Sequence, residues 1–221
     1  MKTITIILFS VILLYHPGMC QDEDLFSASK PSASVKDGNV VVTLDDGTER
    51  QLTFTQSDEK PVLVPSRNKV IFVRNEKVVQ GEKEYFRKKI MTVGVNDFLE
   101  EEISTQKPYK DGKNNTTEIL RIDNPAISSN GDYLFFLANH TATTSQVIKM
   151  EIATGKWNLL FSAESFEMLN TGPFRDYFLI GRQEVGAAGL GMYYYLVDRT
   201  GKQVKEFNSK ESMEQFKNSI R

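Results

Sequence analysis

From residue 39 onward, apolar residues come in short runs broken by turn formers. Residues 39–44 (NVVVTL) are rich in β-branched side chains, and alternation resumes at 49–54. Asp45, Asp46, Gly47 and Thr48 lie between the two runs. Gly47 tolerates the positive φ of a tight turn, so this spacing predicts a hairpin. Further runs of the same kind occupy 62–64, 70–74, 85–93, 118–122, 133–138, 146–152, 157–161, 177–181, 192–197 and 203–207. Gly, Asn, Asp or Pro separates most of them. The period changes at 209–221 (SKESMEQFKNSIR), where Met213, Phe216 and Ile220 recur at spacings of three and four. That pattern predicts one amphipathic helix with Ser209 as its cap. The polar stretch 105–117 reads as a surface loop. Residues 27–37 are small and polar, and predict a flexible lead-in.

The runs repeat. Pro61 to Phe72 (PVLVPSRNKVIF) aligns with Pro125 to Phe136 (PAISSNGDYLFF), and Asp176 to Ile180 resembles Asp132 to Phe136. A second signature ends each unit: a carboxylate, small residues and a glycine, at Glu151 to Gly155 and again at Asp198 to Gly201. About four short strands per unit of 44 to 46 residues is the mark of stacked propeller sheets. One such sheet is poorly stable alone, so neighbours bury each other's faces. These residues resemble the TolB-like β-propeller repeats of bacterial envelope proteins, which also build the propeller of prolyl-oligopeptidase-type enzymes. The family pattern is Leu-Thr, a spacer, Pro, then Ser-Pro-Asp-Gly-Lys and an apolar strand ending in Phe. Leu52-Thr53-Phe54, Pro61 and Val64 to Lys69 take those places in one copy, and Ser128 to Asp132 in the next. Around Gly172 to Asp176 the match is loosest. The first copy lacks the motif's Ser and Gly, and the second lacks its Pro. The resemblance spans 49–207. It implies an all-β fold, a short or partial β-propeller of about three to four blades with a C-terminal helix. An irregular β-sandwich is the other use of the same strands. The resemblance also implies a role through protein contacts in the cell envelope.

The N-terminus sets the compartment. Lys2 precedes an apolar run at 3–15, then Pro17-Gly18 and the acidic Asp22-Glu23-Asp24. The run suits a secretory signal and is too short for a bilayer, which needs about 20 apolar residues. Cleavage after Cys20, lipidation of Cys20 as in a lipoprotein, and retention as an anchor are the three routes. The chain thus divides into a signal peptide (1–20), a flexible lead-in (21–38), a propeller-like domain (39–208) and a helix (209–221). The expected location is periplasmic or secreted, or membrane-anchored through Cys20.

Composition narrows the function. With 27 Lys+Arg against 29 Asp+Glu and a net charge of −2, no nucleic-acid partner is expected. After signal cleavage no membrane span is expected either. No Gly-x-Ser-x-Gly nucleophile elbow occurs. His140 is the one histidine beyond the signal, in a polar loop, and a zinc site or other cofactor is not expected. Gly186 to Gly191 lies between strands and reads as a hairpin loop rather than a phosphate cradle. Glu100-Glu101-Glu102 reads as a solvated run, and Arg87-Lys88-Lys89 as the polar edge of a strand. Tyr193, Tyr194 and Tyr195 must alternate between faces, with core packing expected on both. Trp157 is expected between neighbouring blades. The expected function is a non-catalytic scaffold that binds a protein or small ligand. The alternatives are a carboxylate-based enzyme or carbohydrate-active protein using Asp123, Asp132 or Asp176, and a half-propeller completed by homo-oligomerisation.

Overall fold

The apolar runs pair as antiparallel meanders, each strand lying beside the next in sequence. The computed structural model describes residues 30–80, 82–103, 109–110, 116–117, 122–139, 145–186 and 189–220. The signal with Cys20, the first half of the lead-in (21–29), most of the polar stretch 105–117, His140 and nearly all of the run at 118–122 lie outside those residues.

The first sheet holds β1 (Ser32–Lys36), β2 (Asn39–Thr43) and β3 (Glu49–Gln51). The second holds β4 (Asp58–Val64), β5 (Lys69–Gln80), β6 (Lys83–Gly94) and β7 (Glu100–Glu102). A two-residue pair follows, β8 (Tyr109–Lys110) with β9 (Thr116–Thr117). The third sheet holds β10 (Ile122–Ile127), β11 (Tyr133–Asn139), β12 (Ser145–Glu151) and β13 (Trp157–Ser162). The fourth holds β14 (Ser165–Met168), β15 (Phe178–Gly186), β16 (Gly189–Val197) and β17 (Gln203–Phe207), and α1 (Lys210–Ser219) follows it.

Alternation along the strands builds three cores between four sheets. On β11, Leu134, Phe136 and Ala138 pack toward the second sheet with Ile71, Val73 and Ile90. Phe135 and Leu137 point the other way, into the fourth sheet with Phe178, Ile180 and Tyr195. Val40, Val42 and Leu52 of the first sheet's region meet Val70, Phe72 and Val93 of the second. A strand covered on both faces reads as a continuous apolar run, as Leu134 to Ala138 does. Sheets stacked face to face in chain order make an all-β partial propeller of about four blades.

The repeats occupy matching places. The 3-10 turn Pro65–Arg67 joins β4 to β5, residues 128–132 join β10 to β11, and the 3-10 turn Gly172–Phe174 joins β14 to β15. Each first turn contains a left-handed residue: Asn68 at φ 51°, Gly131 at 75° and Asp176 at 64°. The turn before the last strand also recurs. Gly47 N donates to Leu44 O at 2.9 Å, Gly155 N to Glu151 O at 2.9 Å, and Gly201 N to Asp198 O at 2.9 Å. By this correspondence the first sheet is a blade without its opening strand. That accounts for a strand count between three and four full blades.

One expectation is corrected. Ser32–Lys36, read as part of the flexible lead-in, is β1, in register with β2 from Ser32↔Thr43 to Lys36↔Asn39. Its Ser-Ala-Ser-Val-Lys alternation is carried by small side chains and one valine. The strand is held by its tight turn at Asp37 (φ 51°) and Gly38 (φ 71°) rather than by apolar bulk. The helix forms as the periodicity predicts. Ser209 accepts from Ser212 N, and Ser212 reciprocates, a capping box with serine in the usual Glu position.

Candidate functional site

In a four-stranded meander the first and third turns lie at one end and the central hairpin at the other. Polar bonds show that the first turns of neighbouring sheets meet. Arg67 Nη2 donates to Asp132 Oδ1 at 2.7 Å, linking the second sheet to the third. Ser129 donates to Asp176 through its backbone N at 2.7 Å and its Oγ at 2.6 Å, linking the third to the fourth. Deeper in, Lys60 Nζ donates to Ile122 O at 2.6 Å and pairs with Asp123. Lys60 (φ 53°) and Asn124 (φ 49°) precede Pro61 and Pro125 and stand at matching bulges of β4 and β10. The bulges bring the two first strands within reach of this pair.

The three carboxylates singled out for acid–base chemistry are thus each engaged with a neighbouring sheet. Asp123, Asp132 and Asp176 each bridge two sheets through a different partner, and stitching the stack together accounts for all three.

The other sequence candidates also resolve into structure. Glu100–Glu102 is exposed, as expected of a solvated run, and forms the edge strand β7. Its carboxylates pair with Arg74 at 2.6 Å, Lys69 at 2.7 Å and Lys89 at 3.1 Å. Cations on the neighbouring strands draw the three glutamates into the ladder, a long-range partnership that a local charge run does not reveal. Arg87 and Lys88 pair with Glu76 and Glu59 at 2.5 Å, and Lys89 also reaches Glu76 at 3.1 Å. Arg87 and Lys89 together hold the Glu76 carboxyl below its usual range. Gly186 closes β15 and Gly189 opens β16, opposite each other in one hairpin. Tyr193 and Tyr195 pack toward the third sheet, and Tyr194 toward α1. Burial, and then the neighbouring Glu184, push the Tyr195 phenol up from its ordinary value. Trp157 packs on the core between the second and third sheets. Among the described residues, no group of three or more His, Cys, Asp or Glu is placed to hold a metal. No helix among them is long and apolar enough to cross a membrane.

Two inter-sheet grooves open on the turn face. One, of about 470 Å³, lies between the first and second sheets. Val42, Leu44, Leu63 and Val95 line it, with Asp45 and Asp46 among its polar residues. The Thr48 amide and hydroxyl hold the Asp46 carboxyl below its ordinary range. The other, of about 280 Å³, lies between the third and fourth sheets, with Ser129, Asn130, Tyr133, Lys149, Asp176 and Arg199 in its wall. A further hollow of about 280 Å³ shares Tyr133 and Lys149 with it and adds Glu151, Lys156, Trp157 and Asn158. Lys149 Nζ stands 4.0 Å from the Tyr133 ring centroid. Sequence reasoning did not single out Lys149, Lys156 or Arg199. The available signal was positional: Lys156 and Arg199 both sit in the recurring turn before a unit's last strand.

No family model matches the chain, and no curated protein matches it in sequence. Solved structures do share its fold. Dipeptidyl peptidase 4 of Porphyromonas gingivalis superposes with a TM-score of 0.55 at 14% identity, over 81% of this chain and 31% of that one. A puromycin hydrolase gives 0.50 at 14% identity, over 76% of this chain and 27% of that one. TolB from Acinetobacter baumannii gives 0.36 at 12% identity, over 78% of this chain and 49% of that one. The chain spans less than a third of the two better-matched proteins. At these identities the likeness is one of fold alone, and the fold is a partial β-propeller.

Proposed function

We propose that this chain is an exported, non-catalytic propeller scaffold that binds a partner in the cell envelope through its turn face. One observation carries the reading. The carboxylates that could have served catalysis are engaged between sheets, while the grooves beside those junctions display charged groups on a rigid frame. Loops fixed by a rigid frame are the usual place for recognition. Export rests on the signal-like run at 3–15, and the envelope setting on the TolB-like repeat grammar.

The test is site-specific photo-crosslinking. A photoreactive residue at Asn158, on the turn face, is compared with one at Val185, on the opposite hairpin end. Envelope extracts are expected to give a discrete adduct from Asn158 and none from Val185. Repeated failure of both positions to capture anything specific, or capture from Val185 alone, overturns the proposal.

A further inference from the structure

The first sheet is the incomplete one. The second, third and fourth sheets each open with a strand, β4, β10 or β14, that lies antiparallel beside the next. The first sheet opens with β1, and among the described residues β1 pairs only with β2. Val40 fixes which backbone groups of β1 are left over. Its N donates to Thr53 Oγ1 at 2.8 Å, and its O accepts from Leu52 N at 2.8 Å. Val40 thus turns its backbone away from its cross-strand partner Val35, and bonded pairs of an antiparallel ladder alternate with unbonded ones. Ser32, Ser34 and Lys36 therefore bond to β2, while Ala33 and Val35 turn N–H and C=O to the free edge. The side chains of Ala33 and Val35 share a face with Val42 and Val40, the face packed on the second sheet. Val35 is nonetheless 41% exposed, because nothing among the described residues covers its open side. The turn-face groove of about 470 Å³ reaches Pro31, where β1 starts. Its apolar lining includes Val42, Leu44 and Leu63. Asp45 and Asp46 are the charged groups of its wall, and among the described residues no Lys or Arg lines it with them. Arg50 acts on Asp46 only from a distance, its guanidinium donating to Val95 O at 3.1 Å.

We infer that this edge and groove together take up an extended segment of a partner protein, with apolar side chains at alternate positions and a basic C-terminal end. The occupant is extended because the groups it meets are the backbone donors and acceptors of one strand edge. It runs antiparallel to β1, as β4 does to β5. β1 leads away from the groove, so the occupant's C-terminal end arrives there, beside Asp45 and Asp46. Charge complementarity makes that end lysine or arginine. In a bonded antiparallel pair the two side chains lie on one face, so the residues opposite Ala33 and Val35 point toward the second sheet and are apolar. This inference rests on the turn-face reading above and gives the form of the partner's segment.

The probe is a fluorescein-labelled, amidated heptapeptide that alternates valine and threonine and ends in two lysines. Anisotropy follows its titration with the full chain at low and physiological salt. Saturable binding that weakens with salt is expected. N-methylation of the valines removes the amides that meet Ala33 and Val35 and weakens binding about tenfold or more. N-methylation of the threonines, whose amides face solvent, changes it by less than about twofold. Asp45→Asn/Asp46→Asn weakens it about threefold and flattens the salt dependence, while Lys77→Gln leaves it unchanged. An unchanged thermal midpoint shows that the double variant is folded, and the methylated peptides test the edge on the unaltered chain. No saturable binding, the outcome if residues 21–29 or a second copy hold the edge, overturns the inference. Equal weakening by both methylations, or binding indifferent to the two aspartates, overturns it as well. The Asn158 adduct tests the scaffold separately. Its loss removes the scaffold reading, whereas its persistence beside a failed titration removes only strand addition at β1.

Discussion

Replacing Arg74 with methionine should be among the most damaging single changes in the second sheet. The Asp58 carboxylate is fully buried, with 0% side-chain exposure, while Arg74 retains 16%. Arg74 donates to Asp58 from Nε at 2.7 Å and Nη2 at 3.0 Å, and to Glu100 from Nη1 at 2.6 Å. Those bonds, the one to Asp58 foremost, hold the guanidinium further above its already high range. The guanidinium also lies 5.2 Å from the Phe72 ring centroid. Arg74→Met strands a buried anion, which costs about 3–5 kcal/mol. Asp58→Ala is milder, about 1–3 kcal/mol, because Arg74 keeps Glu100 and some access to water. In the double variant the stranded charge is gone, so its cost falls well below the sum, with a coupling of about 2 kcal/mol. Urea unfolding of the four proteins measures this directly, and the Arg74→Met midpoint temperature should drop by roughly 10 °C. If Arg74→Met lies within about 1 kcal/mol of wild type, or the two changes simply add, the argument from burial is wrong.

Three glycines in equivalent turns give a graded test of backbone against contact. Gly47→Ala places its Cβ in open space and should cost only the left-handed penalty, about 1 kcal/mol. Gly201→Ala meets Leu160 O at 3.1 Å and Gly155→Ala meets Ile103 O at 2.2 Å, so denaturant midpoints should fall in that order; equal losses would refute it. Tyr195 supplies a pH test. Its raised phenol pKa favours the neutral form in the folded state, so its contribution is full below the ordinary value of 10.0 and declines as pH rises beyond it. Stability measured from pH 9 to 11.5 should therefore fall less steeply in Tyr195→Phe than in wild type, and parallel curves would count against the assignment. Finally, Met213→Ala/Phe216→Ala should expose the outer face of the fourth sheet, lowering stability by about 4 kcal/mol or more. Light scattering should show self-association absent from wild type, and a stable monomeric variant would contradict that.

The sequence carried most of the strand pattern because each unit is local: hairpin turns, apolar runs and the serine cap announce themselves within a few residues. Pro61 and Pro125 marked the repeat and proved to mark matching bulges as well. What escaped was non-local or weakly apolar. Ser32–Lys36 looked like a linker because small side chains sufficed once the Asp37–Gly38 turn fixed its register. The ion pairs of the exposed Glu100–Glu102 were hidden because their cations arrive from β5 and β6. The roles of Asp123, Asp132 and Asp176 depend on partners 47 to 65 residues away in the chain. The groove between the third and fourth sheets was hidden for the same reason, since Lys149, Asp176 and Arg199 share it only when two sheets stack.

Sheets that stack through apolar faces form, in principle, a polymer with no natural stopping point. Here α1 acts as the terminator. Met213, Phe216 and Ile220 rest on Leu169, Leu179, Leu196 and Phe207, filling the surface on which another sheet would otherwise lie. At the opposite end β1 exposes Ser32, Ser34 and Lys36, a strand that offers an incoming sheet little to bury. The outer face of the fourth sheet is thereby kept from water without ring closure. A protease that clipped the final helix would bare that apolar face and make it a seed for aggregation.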